Sequence, residues 1–250
     1  MKKLIAFDLD DTLAVTKSPI SDRMSGLLTQ LLDHFDVCVI SGGKYEQFQK
    51  QVVSRLSANS SQLRRMHLMP TCGTRYYRFN EDNKEWFKVY SEDLTEEQKK
   101  RIAVVLEKAA RQLGYWEEKP FGEIIEDRGS QITFSALGQQ APPENKYAWD
   151  PDGKKKHAIR DLAAPELPDL EVRVGGTTSI DVTIVGVDKA YGMRKLMESL
   201  DIGKDDILFI GDKLEEGGND YPVKAMGIDS LEVSEWQDTA RVLQGILHVL

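Results

Sequence analysis

Three aspartates directly follow short apolar segments of the chain, at positions where side chains can gather around a ligand. Asp8 and Asp10 come after residues 3–7, and Asp212 comes after residues 206–210, two runs that predict buried strands. In open parallel sheets, ligands bind outside the carboxyl ends of the strands. Carboxylates gathered there would form an oxygen-only cluster, which suits Mg²⁺ rather than a soft metal. The sequence therefore predicts a magnesium site that includes Asp8, Asp10 and Asp212.

Groups that can offset negative charge follow at similar positions. Ser41, Gly42 and Gly43 come after residues 36–40, another continuous apolar run that predicts a strand. Lys189 begins a predicted helix, and the start of a helix favours anions. A hydroxyl, two glycine amides, a lysine and a divalent cation could together neutralise a phosphoryl group. Each motif alone is more simply explained as a turn or a surface residue, and only their conjunction at strand ends and a helix start indicates phosphoryl transfer.

The order of strand and helix patterns predicts an α/β fold. The apolar runs are continuous rather than alternating, as in parallel strands that are buried on both faces. Helical spacing follows the first two of them, for example at Met24, Leu27, Leu28 and Leu31. Strands that alternate with helices in this way form a parallel sheet covered by helices.

The middle third of the chain has a different pattern and predicts a second domain. Thr95-x-x-Gln98 is a capping-box pattern that opens a helix, and two strand-like segments flank a turn at residues 127–129. Mixed α+β content between α/β segments indicates an insertion. We therefore predict a discontinuous core at residues 1–82 and 186–250, with an inserted α+β cap domain at residues 83–185.

Composition excludes several classes of function. The 250 residues contain 33 lysines and arginines against 41 aspartates and glutamates, a net charge of −8, whereas a binder of duplex nucleic acid needs a basic face. No apolar run approaches the 18 residues of a membrane span, and the apolar stretch before Asp8 is too short for a secretory signal. The two cysteines, Cys38 and Cys72, form neither a zinc motif nor a disulfide framework. A cytoplasmic protein without nucleic-acid or membrane partners is expected.

The four motifs together resemble those of the haloacid dehalogenase (HAD) superfamily of phosphotransferases. They are Phe7-Asp8-Leu9-Asp10-Asp11-Thr12, Ile40-Ser41-Gly42-Gly43, Asp188-Lys189 and Gly211-Asp212. The resemblance covers essentially the whole chain, and it implies a Rossmann-like core with a cap of the type IIB subgroup. Within the superfamily, Arg128-Gly129, the segment 175–182 and the segment 211–220 resemble the eukaryotic-type phosphomannomutase family.

The resemblance implies a role for each motif residue. Asp8 would be the nucleophile that becomes an aspartyl phosphate, and Asp10 would be the general acid and base. Mg²⁺ would be held by the side chains of Asp8 and Asp212 and by the carbonyl of Asp10. Ser41 and Lys189 would hold the oxygens of the transferring phosphoryl group.

Residues outside these four motifs would position the metal and the substrate. Asp220 would orient Lys189 or the metal shell. In the cap, Arg128 would bind the phosphate that is not transferred, and Ser179 and Asp181 would reach the hydroxyls of a sugar.

The sequence also departs from the phosphomannomutase pattern. Phe121 and Gln139 stand where the cap arginines of a mutase are expected, Lys17 stands in place of a core arginine, and Asp11 in place of a glycine. Loss of bidentate arginine contacts would weaken retention of a bisphosphate. Water would then reach the aspartyl phosphate, and the enzyme would act as a phosphatase.

Three functions are therefore compatible with the sequence. The first expectation is a Mg²⁺-dependent phosphatase acting on a small phosphorylated metabolite, most simply a sugar phosphate. The alternative is a phosphohexomutase that interconverts the 1- and 6-phosphates of mannose or glucose. A non-catalytic sugar-phosphate binder is less expected, because binding alone does not require Asp8 beside Asp10. An exposed cap face could also mediate a homodimer.

Overall fold

The computed structural model describes residues 2–250 and separates them into two compact units. The first unit joins the chain up to Ser91 to Asp188–Leu250, and the second unit is Glu92–Val187. The strands of the described residues are β1 (Leu4–Phe7), β2 (Asp36–Ile40), β3 (Met66–Met69), β4 (Arg75–Asn80), β5 (Glu85–Ser91), β6 (Ile125–Asp127), β7 (Gln131–Ser135), β8 (Leu170–Val174), β9 (Ser179–Ile184), β10 (Ile207–Gly211) and β11 (Asp229–Glu232). The α-helices are α1 (Asp22–Leu31), α2 (Tyr45–Gln51), α3 (Ser60–Leu63), α4 (Glu96–Gln112), α5 (Pro143–Trp149), α6 (Lys154–Ala163), α7 (Lys189–Leu200), α8 (Tyr221–Ala225) and α9 (Trp236–His248).

The first unit is built on a seven-stranded sheet in the order β11-β10-β1-β2-β3-β4-β5. The strands from β11 to β3 are parallel, whereas β4 and β5 pair antiparallel at the edge. β1 and β3 are buried along their whole length, which explains their continuous apolar sequences. The prediction of an α/β fold with a parallel sheet is confirmed. β1 lies between β10 and β2, so the three motif-bearing strand ends are adjacent.

Helices bury apolar side chains against both faces of this sheet. α1 and α9 pack on one face in a core cluster that includes Met24, Leu28 and Leu243, and α7 packs on the other face through Met193 and Leu196. α1 begins with a cap, because the Ser21 hydroxyl accepts a hydrogen bond from the amide of Met24. No helix within residues 2–250 is both long and apolar enough to cross a membrane.

The first boundary between the units lies later in the chain than the sequence predicts. β4 and β5 form an antiparallel pair, and the turn between them contains the predicted boundary at residue 82. Because β4 also pairs with β3, the whole hairpin belongs to the sheet of the first unit, and the chain leaves this unit only after Ser91. The second boundary follows Val187 rather than residue 185.

The second unit has an antiparallel sheet in the order β6-β7-β9-β8. One face of this sheet carries Ile132, Phe134, Ile180 and Val182, which are buried with apolar residues of α4 and α6. α4 begins with the predicted capping box, in which the Thr95 side chain and the Gln98 side chain each bond the other's backbone amide. The predicted α+β content of this segment is therefore present.

Gly192 lies where α7 approaches the sheet of the first unit closely. A Cβ atom at this position would lie 2.5 Å from Cδ1 of Ile40 and 2.6 Å from the carbonyl oxygen of Cys72. We expect Gly192→Ala to lower the free energy of unfolding by about 1–3 kcal/mol, because the backbone on the other side cannot give way cheaply. Urea denaturation followed by circular dichroism measures this change.

Gly245 in α9 provides the matched control. It also lies in a helix, but a Cβ atom there would meet nothing within 4 Å. Gly245→Ala is expected to raise the free energy of unfolding by roughly 0.5–1 kcal/mol through helix propensity. Equal effects of the two substitutions would contradict the close approach of α7.

Candidate active site

The sites predicted on the first unit meet at the carboxyl ends of its parallel strands. Asp8 directly follows β1, Ser41 follows β2, and Asp212 follows β10, and these three strands are neighbours in the sheet. Lys189 is the first residue of α7, whose start is capped by the Asp188 side chain through the amide of Tyr191 at 2.8 Å. Strand order and one helix start therefore bring distant sequence motifs to one edge.

The centre of this edge is a buried lysine between two buried carboxylates. Nζ of Lys189 donates to Oδ1 of Asp8 and, at 2.5 Å, to Oδ1 of Asp220. The side chains of Lys189, Asp8 and Asp220 are only 1%, 5% and 0% exposed. Burying a charged group away from water costs free energy, and proteins tolerate it only when the group is paired and hydrogen-bonded.

Asp220, which the resemblance assigns to orienting Lys189 or the metal shell, is in direct contact with Lys189. Its Oδ2 accepts a hydrogen bond from the amide of Lys213 at 3.1 Å, while its Oδ1 accepts from Lys189. The carboxylate lies so close to the end of β10 that a Cβ atom on Gly211 would lie 2.4 Å from Oδ2 of Asp220. Glycine at position 211 is therefore required by this contact. The glycine before Asp212, followed by an aspartate in the next loop, is the sequence signal for Asp220.

Burial and mutual charge shift the pKa values of this cluster. Burial raises the pKa of Asp8 to about 8, although the neighbouring Lys189 acts in the opposite direction. Burial by itself would lower the pKa of Lys189, but Asp220 and Asp8 outweigh it, and the pKa is raised. Burial also raises the pKa of Asp212. The lysine therefore stays cationic, while the Asp8 carboxylate needs further positive charge to ionise readily at neutral pH.

The carboxylates fit a divalent cation. One oxygen each of Asp8, Asp212 and Asp220 lies within 4.8 Å of the others. Both oxygens of Asp220 already accept hydrogen bonds, whereas Asp8 bonds Lys189 through Oδ1, so Oδ2 of Asp8 and the carboxylate of Asp212 are the oxygens best placed for a metal. An all-oxygen donor set with an excess of negative charge suits Mg²⁺.

The Asp10 carboxylate lies in its own set of hydrogen bonds rather than in the carboxylate cluster. Oδ1 accepts from the amide of Lys17 at 2.8 Å and from Nε2 of Gln51 at 3.1 Å, and Oδ2 accepts from Nε2 of Gln47 at 3.2 Å. Sequence analysis did not identify the two glutamines. Their spacing is a sequence signal, because residues four apart on α2 share a face of the helix, and two glutamines on one face can donate to the same carboxylate.

Asp11 occupies a backbone conformation that suits the glycine expected there from the resemblance. Its φ is +66°, in the left-handed region that costs little only for glycine and is tolerated by aspartate. Its side chain is anchored locally, since Oδ2 accepts from the Thr16 hydroxyl at 2.8 Å and Oδ1 from the Thr16 amide at 3.1 Å. The departure at this position therefore leaves the turn between Asp10 and Lys17 intact.

The loop after β2 is held by backbone hydrogen bonds. The Ser41 side chain is buried, and its Oγ accepts from the amide of Gly43 at 3.4 Å. The carbonyl oxygens of Ser41 and Gly43 accept from the amides of Cys72 and Thr71 at 3.0 and 2.9 Å. Ser41, Gly42 and Gly43 thus form a short, fixed segment at the strand end next to Asp8.

The predicted cap residues share one face of the second unit's sheet. Thr133 lies opposite both Glu126 and Asp181 in the strand register, and Arg128 and Ser179 follow two residues away on the same face. This is the polar face, because the alternate residues of β7 and β9 point into the apolar core.

Hydrogen bonds fix the charged side chains on this polar face. Nε of Arg128 donates to Oε2 of Glu126 at 2.7 Å, and Oδ1 of Asp181 accepts from the Thr133 hydroxyl at 2.7 Å. The structure therefore brings Arg128, Ser179 and Asp181 onto one polar face within the second unit.

The two departures in the cap differ in their surroundings. Phe121 has an exposed side chain. The backbone carbonyl oxygen of Gln139 accepts a hydrogen bond from Nζ of Lys146 at 2.9 Å, and the Lys146 side chain is buried. An apolar ring and a neutral amide thus stand where two guanidinium groups were expected.

Comparison with known proteins identifies the relatives of this chain. A family model described as eukaryotic phosphomannomutase matches residues 24–249. The phosphomannomutase of Saccharomyces cerevisiae is 26% identical over 230 residues, which cover 88% of this chain and 84% of the yeast protein.

Solved structures share the fold at lower sequence identity. The IMP-bound, N-terminally truncated IMP-nucleotidase of Plasmodium falciparum has a TM-score of 0.71 at 18% identity and covers 99% of this chain and 68% of that chain. A haloacid dehalogenase-like hydrolase from Bacteroides thetaiotaomicron has a TM-score of 0.62 at 17% identity and covers 98% of this chain and 100% of that chain. The HAD fold expected from the motifs is confirmed.

The raised pKa of Asp8 predicts a pH dependence of stability in the absence of metal. An acid whose pKa rises from 3.8 in the unfolded chain to about 8 in the folded protein loses stability as the pH climbs between these values. We expect the free energy of unfolding in EDTA to fall from pH 5 to pH 8, and Asp8→Asn to remove that part of the fall. Urea denaturation at several pH values measures both slopes.

Asp82→Asn is the matched control, because this aspartate is exposed in the turn between β4 and β5. The free energy of unfolding of this variant should change with pH as steeply as that of the parent protein. A parent and an Asp8→Asn variant with the same slope would show that burial does not raise the pKa of Asp8.

Proposed function

Because the chain belongs to the eukaryotic phosphomannomutase family, we propose that it is a phosphohexomutase that interconverts the 1- and 6-phosphates of mannose or glucose. The observation that carries phosphoryl transfer is the buried Asp8 carboxylate in contact with Lys189. The choice of a mutase rests on the family match over residues 24–249. It reverses the order that the sequence predicts, in which a phosphatase comes first and the mutase second.

Asp8 is the nucleophile of the proposed reaction. In one half-reaction, a phosphoryl group passes from Asp8 to the free hydroxyl of a hexose monophosphate, which gives a hexose bisphosphate and free Asp8. In the other half, Asp8 attacks the second phosphorus of the bisphosphate, and the opposite monophosphate leaves. Asp8 and Asp212 would hold Mg²⁺, which would offset the negative charge that the reacting groups bring together.

Lys189 and Ser41 stabilise the charge of the transferring group. Lys189 is kept cationic by Asp8 and Asp220, and its position is fixed by its burial. A preorganised cation in a dry site lowers the energy of a developing negative charge far more than one in water. The Ser41 hydroxyl and the amides of the following glycines offer donors at the adjacent strand end.

Asp10 moves the proton. As a carboxylate it takes the proton from the attacking sugar hydroxyl, and as an acid it returns the proton to the leaving sugar oxygen. The three donors that hold its carboxylate fix its orientation while the protonation state changes.

The second unit would select the substrate through its polar sheet face. Arg128 is proposed to bind the phosphate that is not being transferred, with its guanidinium oriented by Glu126. Ser179 and Asp181 are proposed to bind sugar hydroxyls. A small sugar phosphate is therefore the proposed substrate class.

A phosphatase is the second candidate, and the exposed Phe121 and the neutral Gln139 favour it. A mutase must retain its bisphosphate while the two phosphates exchange places. With fewer arginine contacts the intermediate would escape more often, and water would then hydrolyse the aspartyl phosphate.

Gln51→Met tests whether the glutamine contacts position Asp10. The substitution removes the donor to Oδ1 at similar side-chain volume, so we expect kcat to fall about tenfold with little change in KM. Steady-state kinetics at a fixed pH, which separate kcat from KM, measure the effect.

Gln49→Met on the same helix is the control, since Gln49 bonds the Tyr45 hydroxyl and not Asp10. It should retain the kcat and KM of the parent. A Gln51→Met variant with the kcat of the parent would show that this hydrogen bond does not position Asp10, and a fall in kcat matched by a loss of folding stability in urea denaturation would indicate a structural role only.

Phosphorus NMR decides between the mutase and the phosphatase. Purified protein is incubated with Mg²⁺, mannose 1-phosphate and a trace of hexose bisphosphate. Growth of the mannose 6-phosphate signal is expected, because the intermediate returns to Asp8. Growth of inorganic phosphate instead would establish hydrolysis.

Asp8→Asn is the control for both outcomes of the NMR experiment. It should abolish either product while circular dichroism shows an unchanged fold, because an amide cannot accept the phosphoryl group as a carboxylate does. Normal turnover by this variant would refute the aspartyl-phosphate mechanism.

A further inference from the structure

A basic cleft lies at the edge of the first unit's sheet that is opposite the active site. It is lined by Asp36, Arg64, Arg65, His67 and Arg78, and its volume is about 400 Å³. This volume is within the range of small-molecule sites. Asp36 is the first residue of β2, whereas the active-site loop follows the last residue of this strand. The five residues of β2 therefore separate the two edges by about 16 Å.

The strand register explains why the basic cleft contains both a histidine and an arginine. His67 of β3 lies directly opposite Arg78 of β4 in an antiparallel pair, so their side chains share a face of the sheet. Arg64 and Arg65 come immediately before β3, at its amino end. The cleft is thus made by one sheet edge and the short connection that leads into it.

Two buried donor atoms of the cleft have no hydrogen-bond partner in the described residues. The His67 side chain is only 1% exposed, and while its Nδ1 lies 2.7 Å from the Tyr76 hydroxyl, its Nε2 is unpaired. The nearest carboxylate oxygen, Oδ2 of Asp36, is 3.9 Å away, beyond hydrogen-bond distance. Nε of Arg78 is likewise buried and unpaired. Such groups are rare in folded proteins and are commonly satisfied by a ligand or an ion.

The charges of the cleft favour an anion. Oδ1 of Asp36 is bound by Nε of Arg65 at 3.0 Å. Nε of Arg64 lies 3.7 Å from Glu81, but both side chains are largely exposed and such a pair is weak. Three arginines against two carboxylates leave a positive balance in a chain whose net charge is −8.

His67 contributes a donor rather than a charge. Burial lowers the pKa of His67, although Asp36 acts in the opposite direction, so the ring is neutral at pH 7. The Asp36 carboxylate, 3.9 Å from Nε2, favours the tautomer with the ring proton on Nε2, and the Tyr76 hydroxyl then donates to Nδ1. This tautomer leaves Nε2–H without a partner in the described residues.

We propose that this cleft binds the dianionic phosphate group of a small metabolite, with the guanidinium groups of Arg78 and Arg64 and Nε2–H of His67 as donors. Planar guanidinium groups match phosphate oxygens in pairs, which makes arginine the residue of choice for such a group. The acidic chain disfavours a nucleic-acid backbone as the source of the phosphate. The proposal concerns the first unit alone and does not rest on the proposed mutase activity.

NMR of the ¹⁵N-labelled full chain, without Mg²⁺ and titrated with inorganic phosphate, tests the proposal. The side-chain signals of His67 Nε2 and Arg78 Nε report on the cleft directly, whatever happens at the active site. We expect both signals to shift in a saturable manner. Arg78→Gln should weaken the affinity read from His67 by about tenfold, because a hydrogen-bonded charge is lost.

Two further variants keep the test decisive. Arg64→Gln lies at an exposed side chain whose loss does not threaten folding, and it should also weaken phosphate binding at His67. Arg55→Gln removes a charge of the same unit that pairs with Asp22 away from the cleft, and it should leave the affinity unchanged. Shifts that never saturate, or that are equal in all three variants, would overturn the proposal.

The source of the phosphate is found by comparing ligands in the same assay. A hexose 6-phosphate or a nucleoside monophosphate that binds more tightly than inorganic phosphate would identify an organic phosphate ester as the occupant. Tighter binding of inorganic phosphate would identify the free ion. A short single-stranded oligonucleotide that outcompetes all of them would contradict the assignment to a small dianion.

Discussion

Lys189 is the residue on which the rest of the active site depends, because its ammonium group is buried between Asp8 and Asp220. Removing three charged groups from water is costly, and a hydrophobic replacement of similar shape would often be at least as stable. The cluster is therefore better explained by chemistry than by stability. A cation that is fixed beside a nucleophilic carboxylate is what phosphoryl transfer requires of a protein scaffold.

This cluster in turn constrains the surrounding backbone. Lys189 must start a helix at the strand edge, which its Asp188 cap ensures, and Asp220 must approach the end of β10 so closely that only glycine fits at position 211. Placement of β1 between β10 and β2 then sets Asp8 beside the loops that carry Asp212 and Ser41. Motifs that look independent in the sequence are thus parts of one electrostatic arrangement.

The two units divide the work of the proposed reaction between them. The first unit holds the charges proposed to act on the transferring group, and its departures from the family pattern are Asp11 and Lys17. The second unit holds the polar sheet face, and in this unit Phe121 and Gln139 stand where cap arginines are expected. The balance between phosphoryl transfer to a sugar and phosphoryl transfer to water is therefore expected to depend mainly on the second unit.

Much of the fold could be predicted because its signals are local. Continuous apolar runs marked β1, β2 and β10, and a capping box marked the start of α4. Other elements lacked such signals. β11 is a short edge strand with the polar sequence DSLE, and α5 begins at a proline and is largely polar, so neither was predicted.

The sequence by itself determined which residue types follow the strands, and hence the cluster of carboxylates, lysine and serine and the class of chemistry. Tertiary structure alone decided several contacts around that cluster. The Lys213 amide donates to Asp220, the Gln51 side chain donates to Asp10, and the β4–β5 hairpin joins the first unit although the pattern changes near residue 82. These contacts join residues from separate elements of the fold. Their formation depends on strand order and burial, which no local spacing of residues records.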